Sequence, residues 1–420
     1  LVSKPRASSG RFSTIMSTSD ALALLMKSTT ILELMDEVNR HRPVVSLAHN
    51  TTLAEALRVL TAHKILSAPV VVLATALDVR LPDDDSNAEP METLIGFFDV
   101  RDAVTAVLRD VDFSKASGSS CLWWLKHLEL AEQKIGSAPL MQCLGHDVDL
   151  MYTPNASITS VFDLVTKGFL GSSKSGDVVV HRVVLFDANG ALHRLISQTD
   201  VVEWLAEHDA KLSHSLETKS LRELGFGSEE RRQQFVTVKA STPAIACYKE
   251  MMEKNVSGAA VVVEEGGSVI ADITFGDLRM LTPEYFSVLG LPVAEFIALT
   301  HNTSYAGFAS TNTPETFQKS AFFEKSRTFK REQIEKMKHT RAIDPRRRDL
   351  FGARDAEPTG VLTVSVESLF QYRWFSKLYK QRVYVVAEND DVAFDVITLT
   401  DVLECATYGG AHKGPHRCRR

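Results

Sequence analysis

Four stretches of this chain repeat one order of polar and apolar residues, and a recurring unit restricts the possible folds more than any single motif does. Each stretch opens on a short β-branched strand: Val44–Leu47, Leu150–Thr153, Phe235–Val238 and Val361–Val364. A Ser/Thr/Asn cluster follows (Asn50-Thr51-Thr52, Asn155-Ala156-Ser157, Ser241-Thr242-Pro243, Ser365 to Ser368) and supplies short side-chain oxygens for a helix N-cap. Pro243 suits a first helical position. The helices then carry one apolar stripe at i, i+3, i+4, i+7: Leu53, Ala56, Leu57, Leu60; Ile158, Val161, Phe162, Val165; and Ala244, Cys247, Tyr248, Met251. The fourth stripe (Leu369, Phe370, Tyr372, Trp374, Phe375) is aromatic and less regular.

Two apolar strands and a turn come next. The first of the two is predicted at Pro69–Val72, Val183–Phe186, Ala260–Val263 and Tyr384–Val386. The turns are Asp187 to Gly190, Glu264 to Gly267 and Glu388 to Asp391, rich in residues that tolerate positive φ. The first repeat instead carries an acidic insertion, Leu81 to Pro90, whose spacing is not that of a calcium loop and reads as solvated. Each unit ends on a step of the form Ser/Thr-x-x-Asp into another helix: Ser197/Asp200, Thr274/Asp277 and Thr398/Asp401. Asp200 follows Val184 by 16 residues; Asp277 follows Ala260, and Asp401 follows Tyr384, by 17. In the first repeat Asp99 takes the Ser/Thr place before Asp102.

The stretches SAPVVV at Ser67, VHRVVLF at Val180, LHRLISQTDVVEWL at Leu192 and FDVITLTDVL at Phe394 resemble the CBS (cystathionine-β-synthase-type) domain, which pairs into Bateman modules. Four copies with no attached catalytic domain are similar to the gamma subunit of AMP-activated/sucrose-non-fermenting-type kinases. The segment Leu281-Thr-Pro-Glu-Tyr-Phe286 to Phe296 is similar to that family's connector between third and fourth repeats. The resemblance implies an α/β (α+β) fold of four βαββα repeats, the first paired with the second and the third with the fourth, in two Bateman modules forming a disc. The corresponding divisions are a tail and leading helix at 1–42, repeats at 43–110, 145–208, 218–298 and 360–408, a linker at 111–144, a basic connector at 299–359 and a tail at 409–420.

A nucleotide cleft needs a ribose acceptor, phosphate partners and an apolar slot. A carboxylate after a strand accepts ribose hydroxyls, a hydroxyl at a helix N-terminus favours an anion, and Arg grips phosphate with two parallel donors. Repeat 2 has Ser197, Asp200 and the His181-Arg182 pair, which matches the family's phosphate-contacting His-Arg. Repeat 4 has Thr398, Asp401 and Arg382, with Gln381 in place of the His. Repeat 3 has Thr274 and Asp277 but Ser257-Gly258 where His-Arg would stand, so it must borrow a cation such as Arg382. Repeat 1 has Leu66-Ser67 there, and Asp99 is expected to repel a phosphate. An Asp after a strand is also a common helix cap, and only its recurrence in register raises it above that.

The resemblance implies a regulatory subunit that senses AMP, ADP or ATP alongside kinase catalytic (alpha) and scaffold (beta) subunits, located in cytoplasm or nucleus. The alternative is a scaffold whose clefts are degenerate. No nucleophile–base pair, metal cluster or phosphate-binding Walker loop suggests an enzyme or a catalytic cofactor, and Gly225-Phe-Gly227 lacks the third glycine of a dinucleotide loop. The net charge of −6 and the absence of an apolar run of about 20 residues point away from nucleic acid and membrane. The basic stretch Gln318–Arg348 lacks regularly spaced aromatics for stacking bases. Five scattered cysteines without a C-x-x-C pair read as reduced thiols, and Trp123-Trp124 as core. The opening LVSKPRASSGRFST suits a transit peptide, a disordered tail or a truncated start ahead of Met16.

Overall fold

The structure is a computed structural model. It describes residues 18–38, 44–74, 91–113, 121–144, 154–171, 180–186, 192–209, 216–301, 328, 331, 361–376, 382–387 and 392–410. The acidic insertion, the strand predicted at Leu150–Thr153, Gln381 and nearly all of 318–348 lie outside them.

The elements follow the repeated pattern. After helices α1 (Thr18–Ser28) and α2 (Ile31–Val38), repeat 1 runs β1 (Leu47–Ala48), α3 (Leu53–His63), β2 (Ser67–Ala74), β3 (Met91–Asp99) and α4 (Val100–Asp110). Helix α5 (Cys121–Ile135) leads to repeat 2: α6 (Val161–Asp163) continuing as a π-turn to Phe169, β4 (Arg182–Phe186), β5 (Leu192–Ser197) and α7 (Gln198–Asp209). Helix α8 (Glu229–Arg232) leads to repeat 3: β6 (Thr237–Lys239), α9 (Ala244–Glu253), β7 (Gly258–Val262), β8 (Val269–Thr274) and a 3-10 turn Phe275–Met280. A second 3-10 segment, Pro283–Gly290, and α10 (Val293–His301) precede repeat 4: β9 (Thr363–Ser365), α11 (Arg373–Ser376), β10 (Arg382–Val386), β11 (Ala393–Thr398) and α12 (Leu399–Tyr408).

The leading strand pairs parallel with the middle strand in repeats 1, 3 and 4, and the last two strands pair antiparallel in all four. In repeats 1, 3 and 4 the leading strands start two or three residues later than predicted. The stripes of α3 and α9 are buried as read from the sequence. Two positions differ. Ile158 is 78% exposed because the cap of its helix is Ser160, not Ser157, so the buried face becomes Val161, Leu164, Val165 and Phe169. Leu369 is exposed because α11 starts only at Arg373. Trp124 is core, and Trp123 stacks on His127. Cys143, Cys247 and Cys405 are buried free thiols.

The segment preceding each repeat docks on that repeat's partner. Backbone hydrogen bonds join Leu53 to Ala138 and Leu140 to Thr51, placing the segment before repeat 2 on repeat 1. Ile31 donates to Thr159 and Val161 to Thr29, placing α1–α2 on repeat 2. Ala244 donates to Leu291 and Val293 to Thr242, placing the segment before repeat 4 on repeat 3. Leu221 donates to Ser368 and Phe370 to Lys219, placing the segment before repeat 3 on repeat 4. This exchange ties 1 to 2 and 3 to 4, the expected pairing. The two main apolar cores run the other way: one joins repeats 1 and 3, the other repeats 2 and 4 with α1 and α2. Each repeat therefore holds two others, and the contacts close a ring in the order 1–2–4–3.

Candidate functional site

Strand register makes the equivalent positions explicit. The first residue of each middle strand, Ser67, Arg182, Gly258 and Arg382, pairs with the last residue of the next strand, Asp99, Ser197, Thr274 and Thr398. Three residues further stand Asp102, Asp200, Asp277 and Asp401. All four carboxylates close a helix cap. Oδ2 of Asp200 accepts from the Ser197 backbone N–H at 2.8 Å and from its hydroxyl at 2.7 Å. Asp277 does the same for Thr274 and Asp401 for Thr398, while Asp102 accepts from the backbone of Asp99 at 2.8 Å. The local logic is that of a capping box, in which two orphan donors are satisfied reciprocally.

The arginines at the strand starts cross to the partner repeat. Arg182 Nη1 donates to Ser67 Oγ at 2.5 Å. Arg382 donates to Ser257 Oγ and lies 3.9 Å from Asp272 Oδ1. Gly258 makes room for it, since a Cβ there would collide with the Arg382 guanidinium. Tyr384 donates to Asp272 Oδ1 at 2.7 Å, and burial, then Asp272, push its phenol well above the ordinary range. Repeat 3, which lacks its own arginine, thus has that of repeat 4 over its strand start. Repeat 1 likewise has Arg182, whose charge lies near Asp99 and then Asp200. Asp99 is the N-cap of α4, accepting from the Arg101 backbone at 2.9 Å, with the Arg182 guanidinium close by.

The middle of the ring is cationic. Arg101 Nη2 lies 3.4 Å from His181 Nε2, and its guanidinium covers the ring of Phe275 at 4.6 Å. Burial, followed by the charges of Arg101, Arg182 and, further down, Arg382, drives His181 down to about 3. Part of the His181 residue stays accessible, so the guanidiniums around it reinforce burial in keeping the ring neutral. Gln198 holds the segment in place, donating from Nε2 to the Val180 carbonyl at 3.1 Å, and its Oε1 lies 3.3 Å from Thr400 Oγ1 of repeat 4. Four side chains from three repeats, Arg101, His181, Arg182 and Arg382, thereby share one region. Arg101 was not singled out from the sequence as a site residue. It stands at the place of Thr199, Gly276 and Thr400, and being the charged exception there was its one signal.

Asp401 is placed differently from its counterparts. Asp200 and Asp277 are half-buried; Asp401 is buried, and its Oδ1 accepts from Arg231 Nη1 at 2.9 Å. Among the described residues no cluster of His, Cys, Asp and Glu could hold a metal ion, and no helix is long and apolar enough to cross a membrane.

The CBS domain family matches residues 231–283, from the end of α8 through most of repeat 3, and the antiparallel strand pair of that repeat recurs at the same register in the other three. The chain is a mixed α/β protein of four repeats, the third of which carries the CBS-domain match. Among solved structures it is similar to a protein of Methanocaldococcus jannaschii described as a candidate archaeal homologue of g-AMPK. That match has 14% identity and a TM-score of 0.48, and covers 88% of this chain and 98% of the other. It is also similar to the CBS-domain-containing protein ATU1752 of Agrobacterium tumefaciens, with 20% identity, a TM-score of 0.26 and coverage of 42% and 92%. One curated relative, the flavin prenyltransferase UbiX of Chlamydia muridarum (strain MoPn / Nigg), is 26% identical over 124 residues. That match takes in 29% of this chain and 65% of the relative's length, and the activity in its name is that protein's own.

Proposed function

We propose that this chain is a non-enzymatic regulatory subunit that binds adenine nucleotides and passes their binding on to a protein kinase, as a gamma-like subunit would. The observation that carries this is the meeting of Arg101, His181, Arg182 and Arg382 where repeats face one another, beside the hydroxyl-and-carboxylate helix starts Ser197/Asp200 and Thr274/Asp277. Guanidiniums there suit phosphate, and each Asp stands where ribose hydroxyls would donate. The part-buried guanidiniums gathered there suit an added anion, which gives the ligand a reason to bind. Binding at the junction would bias how the repeats pack, and a partner touching two repeats would read that bias.

A second reading, a scaffold with degenerate clefts, draws support from Asp401, whose two oxygens are both engaged inside the protein. Calorimetry with AMP, ADP, ATP and adenosine separates the two. Binding of the phosphorylated ligands, weakened by Asp200→Asn or Asp277→Asn, is the expected result; no heat and no thermal shift with any of the four would leave the scaffold. For the kinase, affinity purification of the full chain should recover catalytic and scaffold kinase subunits, and their absence would remove that part of the reading.

A further inference from the structure

Repeat 4 carries the same pair as repeats 2 and 3, with Thr398 and Asp401 at the same register as Ser197/Asp200 and Thr274/Asp277. Its surroundings are not the same. Arg231, on the segment before repeat 3, reaches into repeat 4 with a side chain only 1% exposed. Each nitrogen of its guanidinium has an acceptor. Nε donates to Asp395 Oδ2 at 2.8 Å, Nη1 to Asp401 Oδ1 at 2.9 Å and Nη2 to the Val396 carbonyl at 2.7 Å. The ring of Phe226 packs against the guanidinium at 4.8 Å.

The neighbours hold this arrangement in place. Asp395 Oδ2 also accepts from the Gly227 backbone at 2.7 Å, and its Oδ1 from the Val396 backbone at 2.7 Å. Gly227 has φ of +77°, which brings its N–H to Asp395, and a Cβ there would press on Phe394. Burial works against a charged Arg231, but Asp401 and then Asp395 more than offset it, and the net effect is upward. The guanidinium is therefore a permanent cation at this place.

We propose that Arg231 is a built-in occupant of the fourth carboxylate, so that repeat 4 takes no ribose of its own. The inference rests on the nucleotide reading above and deepens it. Nη1 of the guanidinium takes the Asp401 oxygen to which a ribose hydroxyl would donate, and Nε anchors the same side chain on Asp395. A ribonucleotide entering there would have to displace a desolvated ion pair and leave Arg231 buried without its partner. Arg382, the phosphate-binding side chain of repeat 4, correspondingly faces Ser257 and Asp272 of repeat 3 rather than Asp401. Repeat 4 thus lends its cation to its partner's cleft and closes its own.

The test uses the full chain, titrated with AMP by calorimetry. Asp401→Asn should leave the number of AMP sites unchanged and the affinity within about twofold, while Asp200→Asn or Asp277→Asn should remove a site or weaken binding about tenfold or more. The double variant Arg231→Met, Asp395→Asn removes the plug without stranding Asp395 as an unpaired charge, and should add one AMP site. Loss of a site in Asp401→Asn overturns the proposal, as does a folded double variant that gains none. Should the double variant fail to fold, the Asp401→Asn result decides alone. If the unmodified chain binds no AMP, the nucleotide reading of repeats 2 and 3 falls. A site gained by the double variant would then still support the plug, and no gain would overturn it too.

Discussion

Arg382 of the fourth repeat lies across Gly258 of the third, in the space that any Cβ at position 258 would fill. The glycine is needed there for a close approach and not for a turn. A methyl group would also stand 2.6 Å from the Ile273 carbonyl oxygen, so both the arginine and the neighbouring strand would have to move. Gly258→Ala is expected to cost about 1–3 kcal/mol, the usual range for overpacking. Urea denaturation measures that loss. Stability equal to the unmodified chain would mean that Arg382 does not rest on Gly258.

Arg182→Ala and Arg382→Ala separate phosphate recognition from structure. A hydrogen bond to a charged group contributes about 1.5–3 kcal/mol. Affinity for AMP and ATP should therefore fall roughly tenfold to a hundredfold, and affinity for adenosine much less. Equal losses for adenosine and AMP in calorimetry would assign both arginines a structural role through Ser67 and Ser257.

His181 gives a pH signature. Its folded value of about 3 lies below the ordinary histidine value of about 6.5. Between these two the unfolded chain binds a proton that the folded one refuses, so stability rises with pH across that window and is lost on acidification below about 6.5. His181→Gln should flatten this slope relative to the unmodified chain, seen as a smaller drop in urea midpoint between pH 7 and pH 4.5. Bound phosphate beside the ring would favour its protonation, so AMP binding near pH 5.5 should take up protons, measurable as heats that depend on the buffer. Proton linkage identical in the unmodified chain and in His181→Gln would place the phosphate away from His181, since the ligand phosphate titrates in both.

Arg231→Ala strands Asp395 and Asp401 inside the protein. Breaking one side of a buried pair typically costs about 3–5 kcal/mol, so this variant should be far less stable than Arg222→Ala, whose bond to Glu367 is exposed. Comparable Tm values for the two would show that water reaches Asp395 and Asp401.

Sequence alone resolved what depends on neighbours along the chain. The caps at Thr52 and Thr398, the stripes of α3 and α9, and the recurring pair of apolar strands all follow from periodicity and short-range side-chain chemistry. Recurrence then aligned Asp200, Asp277 and Asp401 correctly, and strand register confirms their equivalence. Where a cap was ambiguous the reading slipped: Ser157 and Ser160 both suit an N-cap, and the backbone of α1–α2 docking at Thr159 accompanies a start at Ser160.

The tertiary structure decided what each of these equivalent residues touches. Arg231 and Asp401 are separated by 170 positions in sequence, and no local pattern marks an arginine that will be buried against a remote carboxylate. The exchange of leading segments, the cores joining repeat 1 to 3 and 2 to 4, and the convergence of Arg101 on His181 are likewise set by packing among repeats. The physical reason is range. Capping, helical stripes and strand alternation act over three or four residues and repeat wherever the sequence repeats. Burial of charge depends on what the whole chain brings alongside, and that differs for every copy.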